Sequence, residues 1–177
     1  SLFDAIGRQT ATVAGTEAAE TVIPAIARQL MELKRQRREV AGRVERLLEN
    51  HPLLTVLTSM PGIAAKTGSQ ILLAIDGDIT RFENSARLAA YAGIAPVTRR
   101  SGTSIRGEHP SRGGNKRLKN ALWQSAFIAA FHDPESNAYY RRKRAEGKRH
   151  NAAIICLARR RCDVLYSMLK NGTLYQL

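Results

Sequence analysis

Apolar side chains in residues 17–50 recur three and four positions apart, at Ile23, Ile26, Leu30, Leu33, Val40, Val44 and Leu47, with Arg37 in the remaining slot. That alternation predicts one long helix with a coiled-coil-like seam of about three and a half heptads. Pro24 falls in the first turns if the helix starts near Thr21, where a missing N–H matters least. His51-Pro52 ends it. Two readings are open: the seam packs against its own domain, or it is an arm that pairs two subunits. Arg37 in the seam would weaken such pairing while fixing its register.

Beyond the proline the pattern breaks into shorter pieces. Leu53, Leu54 and Leu57 predict a short helix running into Met60-Pro61-Gly62-Ile63, and a second helix runs from about Ala64 to Ile75. Helix, PGI turn and helix together form a helix-hairpin-helix-like motif. Such motifs hold phosphate on the N–H groups at the start of the second helix, and Lys66 stands near enough to help. Ala64 replaces the usual second glycine, so a purely structural turn is the other reading. Asp76 and Asp78 read as a helix stop and turn rather than as a metal-binding pair. Asn84 caps a helix through Tyr91 that Gly93 closes, with Pro96 beyond.

Further along, Asn115 caps a helix from Lys116 to Phe131 with Leu118, Leu122, Ser125 and Ala129 on one face and Trp123 outside that stripe. Asp133-Pro134 begins another, carrying Tyr139, Tyr140 and the run Arg141, Arg142, Lys143, Arg144. Aromatic rings beside cations suit single-stranded nucleic acid; a solvated helix face is the simpler alternative. The last helix, 152–170, sets Ile155, Leu165 and Leu169 against Arg159, Arg160 and Arg161, and Asn171-Gly172 stops it. No strand-rich stretch interrupts this series. The expectation is an all-α chain, with a coiled-coil connector and dimerisation helix over residues 1–52 and a compact helical domain over 53–177.

Charge changes this picture from a generic helical domain to one with a partner. Of 28 Lys and Arg and 15 Asp and Glu, residues 1–60 hold eight basic and seven acidic side chains. The net charge of +13 therefore sits almost wholly on residues 61–177, as expected of a nucleic-acid surface. Cys156 and Cys162 have no metal-ligand spacing and read as small apolar residues in a reducing compartment. The four histidines are scattered, so no metal site is expected. No apolar run reaches membrane-spanning length, and no signal peptide precedes the first helix. A start at Ser1 without Met is expected of a fragment of something longer.

The basic charge is densest at 98–119, which carries Arg99, Arg100, Arg106, Arg112, Lys116, Arg117 and Lys119 against Glu108 alone. Four glycines and Pro110 are expected to keep this loop out of regular structure. Like charges at such spacing repel, and a polyphosphate backbone would relieve them. Three serines lie among the cations: Ser101 after Arg99-Arg100, Ser104 before Arg106, Ser111 before Arg112. Phosphodiester transfer needs a nucleophile and stabilisation of charge on the phosphate, which forked arginines supply. Residue type alone does not separate the three serines. No cluster of acids stands beside them to hold a metal.

The segments SMPGIAAKTGSQILLAIDG, RFENSARLAAYAGIAPVTRRSG and SRGGNKRLKNALWQSAF, in that order, resemble the transposase domain of the IS110/IS116/IS902 insertion-sequence family. The likeness runs over about Leu53–Leu177, the AYAGIAP…SG block is its specific part, and the long helix matches the family's coiled-coil connector. The resemblance implies a DNA transposase of the DEDD-recombinase type. In such enzymes an N-terminal RuvC-like domain, absent here, carries metal-binding acids, and this domain carries a serine nucleophile. The family serine lies in the S-G pair after the A-P turn, which falls on Ser101. It further implies Mg²⁺ held by the missing domain and none by this fragment, DNA and an element-encoded RNA as partners, pairing of subunits through residues 17–50, and a cytoplasmic, nucleoid-associated protein. A non-catalytic module that binds nucleic acid and dimerises is the alternative.

Overall fold

The computed structural model describes residues 15–101, 105–109, 111 and 113–176, with the backbone alone at 17, 98–101 and 105–109. The chain divides into two compact units, 1–43 and 44–177. Helix α1 spans Thr16–Leu48. Its exposed surface is laced by Arg35, which reaches Glu32 at 2.7 Å and Glu39 at 2.5 Å. Ile23, Ile26, Leu30, Leu33 and Val40 of the predicted seam are all solvent-exposed.

The second unit is built from six helices: α2 (Pro52–Thr58), α3 (Ala65–Ala74), α4 (Ser85–Tyr91), α5 (Lys116–His132), α6 (Pro134–Ala145) and α7 (His150–Asn171). A short 3₁₀ turn, Ile79–Arg81, joins α3 to α4. Start signals act where the side-chain chemistry requires. Asn84, Asn115 and Asp133 each accept a hydrogen bond from backbone N–H groups of the first turn they cap. His51 caps α2 through Nδ1, which accepts from the Leu53 N–H at 3.2 Å. Gly172, left-handed at φ 65°, closes α7.

The core lies between α3, α5 and α7, with α2 and α4 completing it. Leu57, Ile71, Leu72, Ile75, Leu88, Leu118, Ile154, Leu157 and Leu165 are fully buried, each contributing about 1.5–3 kcal/mol. Ala121, Ala126, Ala130, Ala153 and Ala158 have no exposed surface, so α5 and α7 approach closely. The helical expectation holds for this domain.

One expectation does not hold. The basic stretch is not irregular: β1 (Val97–Ser101) pairs antiparallel with β2 (Ile105–His109). The β-branched Val97, Thr98 and Ile105 favour strand. A two-stranded ribbon is marginal by itself, so what holds its base matters.

The PGI turn also has a structural use. A Cβ on Gly62, whose φ is +81°, would meet the Ser125 carbonyl oxygen at 2.5 Å, so the turn lies directly on the α5 backbone. Asp78 caps the 3₁₀ turn by accepting from Thr80, and Asp76 pairs with Arg81; both carboxylates serve the helix stop. Among the described residues no helix is long and apolar enough to cross a membrane.

Candidate nucleic-acid interface

The hairpin is anchored where its two flanking turns touch. Gly93 (φ +69°) and Gly114 (φ +92°) lie backbone against backbone; a Cβ on Gly114 would come within 2.6 Å of the Gly93 nitrogen. The Asn115 N–H donates to the Tyr91 carbonyl at 2.7 Å, and its side-chain amide donates to the Tyr91 hydroxyl at 2.9 Å. That hydroxyl in turn donates to the Ala74 carbonyl at 3.3 Å. The Asn115 side-chain oxygen accepts from the N–H groups of Arg117 and Leu118, so one residue joins the hairpin base to the start of α5.

Register decides which site positions share a face. Arg100 stands opposite Arg106, and Ser101 opposite Ile105, at the far end of the ribbon. Alternation puts positions 99, 101, 105 and 107 on one face and 98, 100, 106 and 108 on the other. Arg99 occupies a position on the Ser101 face, whereas Arg100 and Arg106 occupy directly opposed positions on the other. Ser104 and Arg112 lie outside the described residues.

Lys116 and Arg117 are exposed in the first turn of α5, and the half-buried Lys119 donates from Nζ to the Ser111 carbonyl at 3.2 Å. Ser111 thus contributes its backbone to the base of the hairpin. Lys66 is exposed in the first turn of α3, which has no side-chain cap. Arg141 and Arg142 belong to a different place. They sit on α6, which packs at the C-terminal end of α5, where Asn137 donates to the Ala130 carbonyl at 2.6 Å. Roughly 20 Å of helix separates them from Lys116. Arg142 and Arg160 lie over the Tyr139 ring, at 5.0 and 5.2 Å, with Lys143 also facing it.

Arg161, expected in a basic row on the last helix, is instead 5% exposed. It donates to the Pro61 carbonyl and, at 2.9 Å, to Ser125 Oγ, tying the PGI turn to α5. Burial pushes its guanidinium down to about 10, opposed by the nearby Asp133 charge, so it remains a cation at neutral pH. Nothing in the local sequence marked it out from Arg159 and Arg160; only the packing of α7 does.

Residues 54–141 match the family described as Transposase IS116/IS110/IS902 family. The chain belongs to this family. It is 48% identical over 175 residues to an IS110 insertion-element protein of 43.6 kDa from Streptomyces coelicolor. It is 37% identical over 173 residues to an IS900 insertion-element protein of Mycobacterium paratuberculosis. These alignments cover 99% and 98% of the chain and 43% of each relative. A pilin gene-inverting protein of Moraxella bovis is 34% identical over 121 residues, 67% of the chain and 37% of that protein. The chain thus spans less than half the length of the relatives it matches.

Proposed function

We propose that this chain is the DNA-contacting, serine-bearing part of a transposase, and that its β1–β2 hairpin meets the scissile phosphate. The observation that carries the reading is the hairpin register. It sets Ser101 at the last pair of the ribbon with the Arg99 position on the same face, and it sets the Arg100 position opposite that of Arg106, two like charges that an anion would relieve. Relatives named for insertion elements and for gene inversion favour DNA as that anion.

In this reading Ser101 Oγ attacks the phosphorus, the P–O3′ bond breaks, and the departing 3′-oxygen takes up a proton while the serine loses one. The 5′-phosphate is then held as a serine ester until a new 3′-hydroxyl attacks it and releases the serine. Arg99 offsets the charge on the non-bridging oxygens, and Arg100 with Arg106 grips the neighbouring backbone. Lys116, Arg117 and Lys66 extend the contact over the duplex. The family resemblance implies Mg²⁺. Among the described residues no group of His, Cys, Asp and Glu is placed to hold a metal, so they do not fit such a site. Metal-binding acids belong, in this proposal, to the part of the relatives outside this chain. The exposed seam of α1 supports a second element, pairing of subunits along residues 17–50.

The test is a trapped adduct. A protein of the relatives' full length, given DNA with a nicked element end, is expected to form a covalent complex mapping to Ser101 by mass spectrometry. Ser101→Ala should abolish adduct and strand exchange while duplex binding persists. Recombination at the normal rate by that variant would remove Ser101 from the chemistry.

A further inference from the structure

A surface that the hairpin does not use runs along α5. Trp123, Phe127 and Phe131, four residues apart, form one continuous ladder: the first two rings stack at 5.2 Å and 12°, and the second and third meet edge-on at 5.1 Å. The ladder continues onto Tyr140 of α6, 5.8 Å from Phe131, and onto His150 at the start of α7, which lies 5.8 Å from Tyr140 and folds back to 6.0 Å from Phe127. Tyr140 and His150 are locked together by a 2.8 Å hydrogen bond. Phe127 is 37% and Phe131 53% exposed, so these two rings line solvent, while Trp123 and Tyr140 are half-buried against the core.

The two ends of the ladder are cationic. One turn before Trp123 lies Lys119, at the hairpin base, with Lys116 beyond it. Exposed Arg144, one turn after Tyr140, and exposed Lys148 and Arg149, just before His150, flank its other side. Glu146, the acid within that segment, is paired with Lys143 at 2.8 Å. An apolar partner surface would be met by neutral flanks; cations at both ends of a row of rings match a strand that carries phosphates on one side and bases on the other.

We propose that this ladder is a track for an unpaired DNA strand, whose bases stack on the open ring surfaces while its phosphates meet the cations at either end. Ring spacing near 5 Å leaves no room for a base between rings, so the strand runs over the ladder and not through it. The preference for DNA rests on the role proposed for the hairpin, whose base adjoins the ladder's first residue; the stacking surface itself does not depend on that role.

Trp123 is the chain's one tryptophan, so the protein reports on its own track. Titration of the chain with oligothymidylate of about 20 nucleotides should quench its fluorescence saturably, as base stacking on the indole requires. Phe127→Leu, Phe131→Leu and Tyr140→Leu keep apolar bulk but remove the flat ring. Each should weaken oligothymidylate binding by about 5- to 100-fold at constant salt with unchanged duplex binding, and Phe127→Leu and Phe131→Leu should do so at an unchanged melting temperature, whereas Tyr140→Leu also removes the hydrogen bond to His150. Equal binding by the leucine variants, or oligouridylate binding without oligothymidylate binding, would overturn the track. So would a change in sedimenting mass on Phe131→Leu, which would assign the ladder to a second copy of the chain. An Arg100→Ala, Arg106→Ala double variant reads the hairpin separately: normal duplex binding there sinks the hairpin role and leaves the quenching result standing.

Discussion

Gly93 and Gly114 touch through their backbones, each with positive φ, at the point where the chain leaves the helical core and where it returns. The contact lies 21 positions apart in sequence and clamps the base of the only described strand pair. Both residues must be glycine for two reasons at once: the left-handed backbone and the absence of room for a methyl group. A Gly114→Ala substitution is expected to cost about 1–3 kcal/mol. Because the strain falls at the hairpin base, duplex affinity should fall further than the melting temperature alone implies. Calorimetry and a DNA titration on the same sample check this.

Arg161 offers a stability test that does not involve DNA. Truncation to alanine removes the donor for the Pro61 carbonyl and Ser125 Oγ inside the core, at a cost of about 3 kcal/mol. Lysine keeps the charge but lacks the planar fork and should recover only part of the loss. Denaturant unfolding of the two variants measures it; an Arg161→Ala midpoint equal to that of the parent protein would dismiss the clamp between the PGI turn and α5.

The two thiols should separate by reactivity. Cys162 is fully buried, and desolvation pushes its thiol up to about 12, so it is neither accessible nor ionised near neutral pH. Cys156 on the same helix is half-buried. Alkylation at pH 8 with peptide mapping is expected to modify Cys156 first and Cys162 only after denaturation.

Helix α1 has an acid limit. Hydrogen bonding from Arg35, then from Gln36, holds the Glu32 carboxyl down to about 2 against an ordinary 4.5. A depressed carboxylate stabilises the helix above its unfolded pKa, and the contribution disappears as pH falls through the folded value. Helicity contributed by this pair should therefore decline between about pH 4.5 and 2. Circular dichroism of the chain and of Glu32→Gln across that range tests it, since the variant should lack the transition. Both side chains are exposed, so added salt should shrink the effect.

Much of the fold could be read from local signals because those signals act locally. Asn84, Asn115 and Asp133 cap the helices they precede, Gly172 closes the last one, and the seam spacing of residues 17–50 lies on a helix. The hairpin was hidden because its glycines and charges resemble a loop, while the Gly93–Gly114 contact that stabilises it joins distant positions. Trp123, Phe127 and Phe131 are spaced for one helix face, but the extension to Tyr140 and His150 needs three helices in place.

The sequence by itself determined the helical class, the concentration of positive charge on residues 61–177, and the family that the AYAGIAP…SG block marks. Each depends on composition or on spacing along one element. Tertiary structure alone decided that the position of Arg100 pairs with that of Arg106 and that of Ser101 with Ile105, and that Arg161 is buried among the helices while Arg160 flanks the Tyr139 ring. Strand register and helix packing set those relations, and both arise from contacts between residues far apart in the chain.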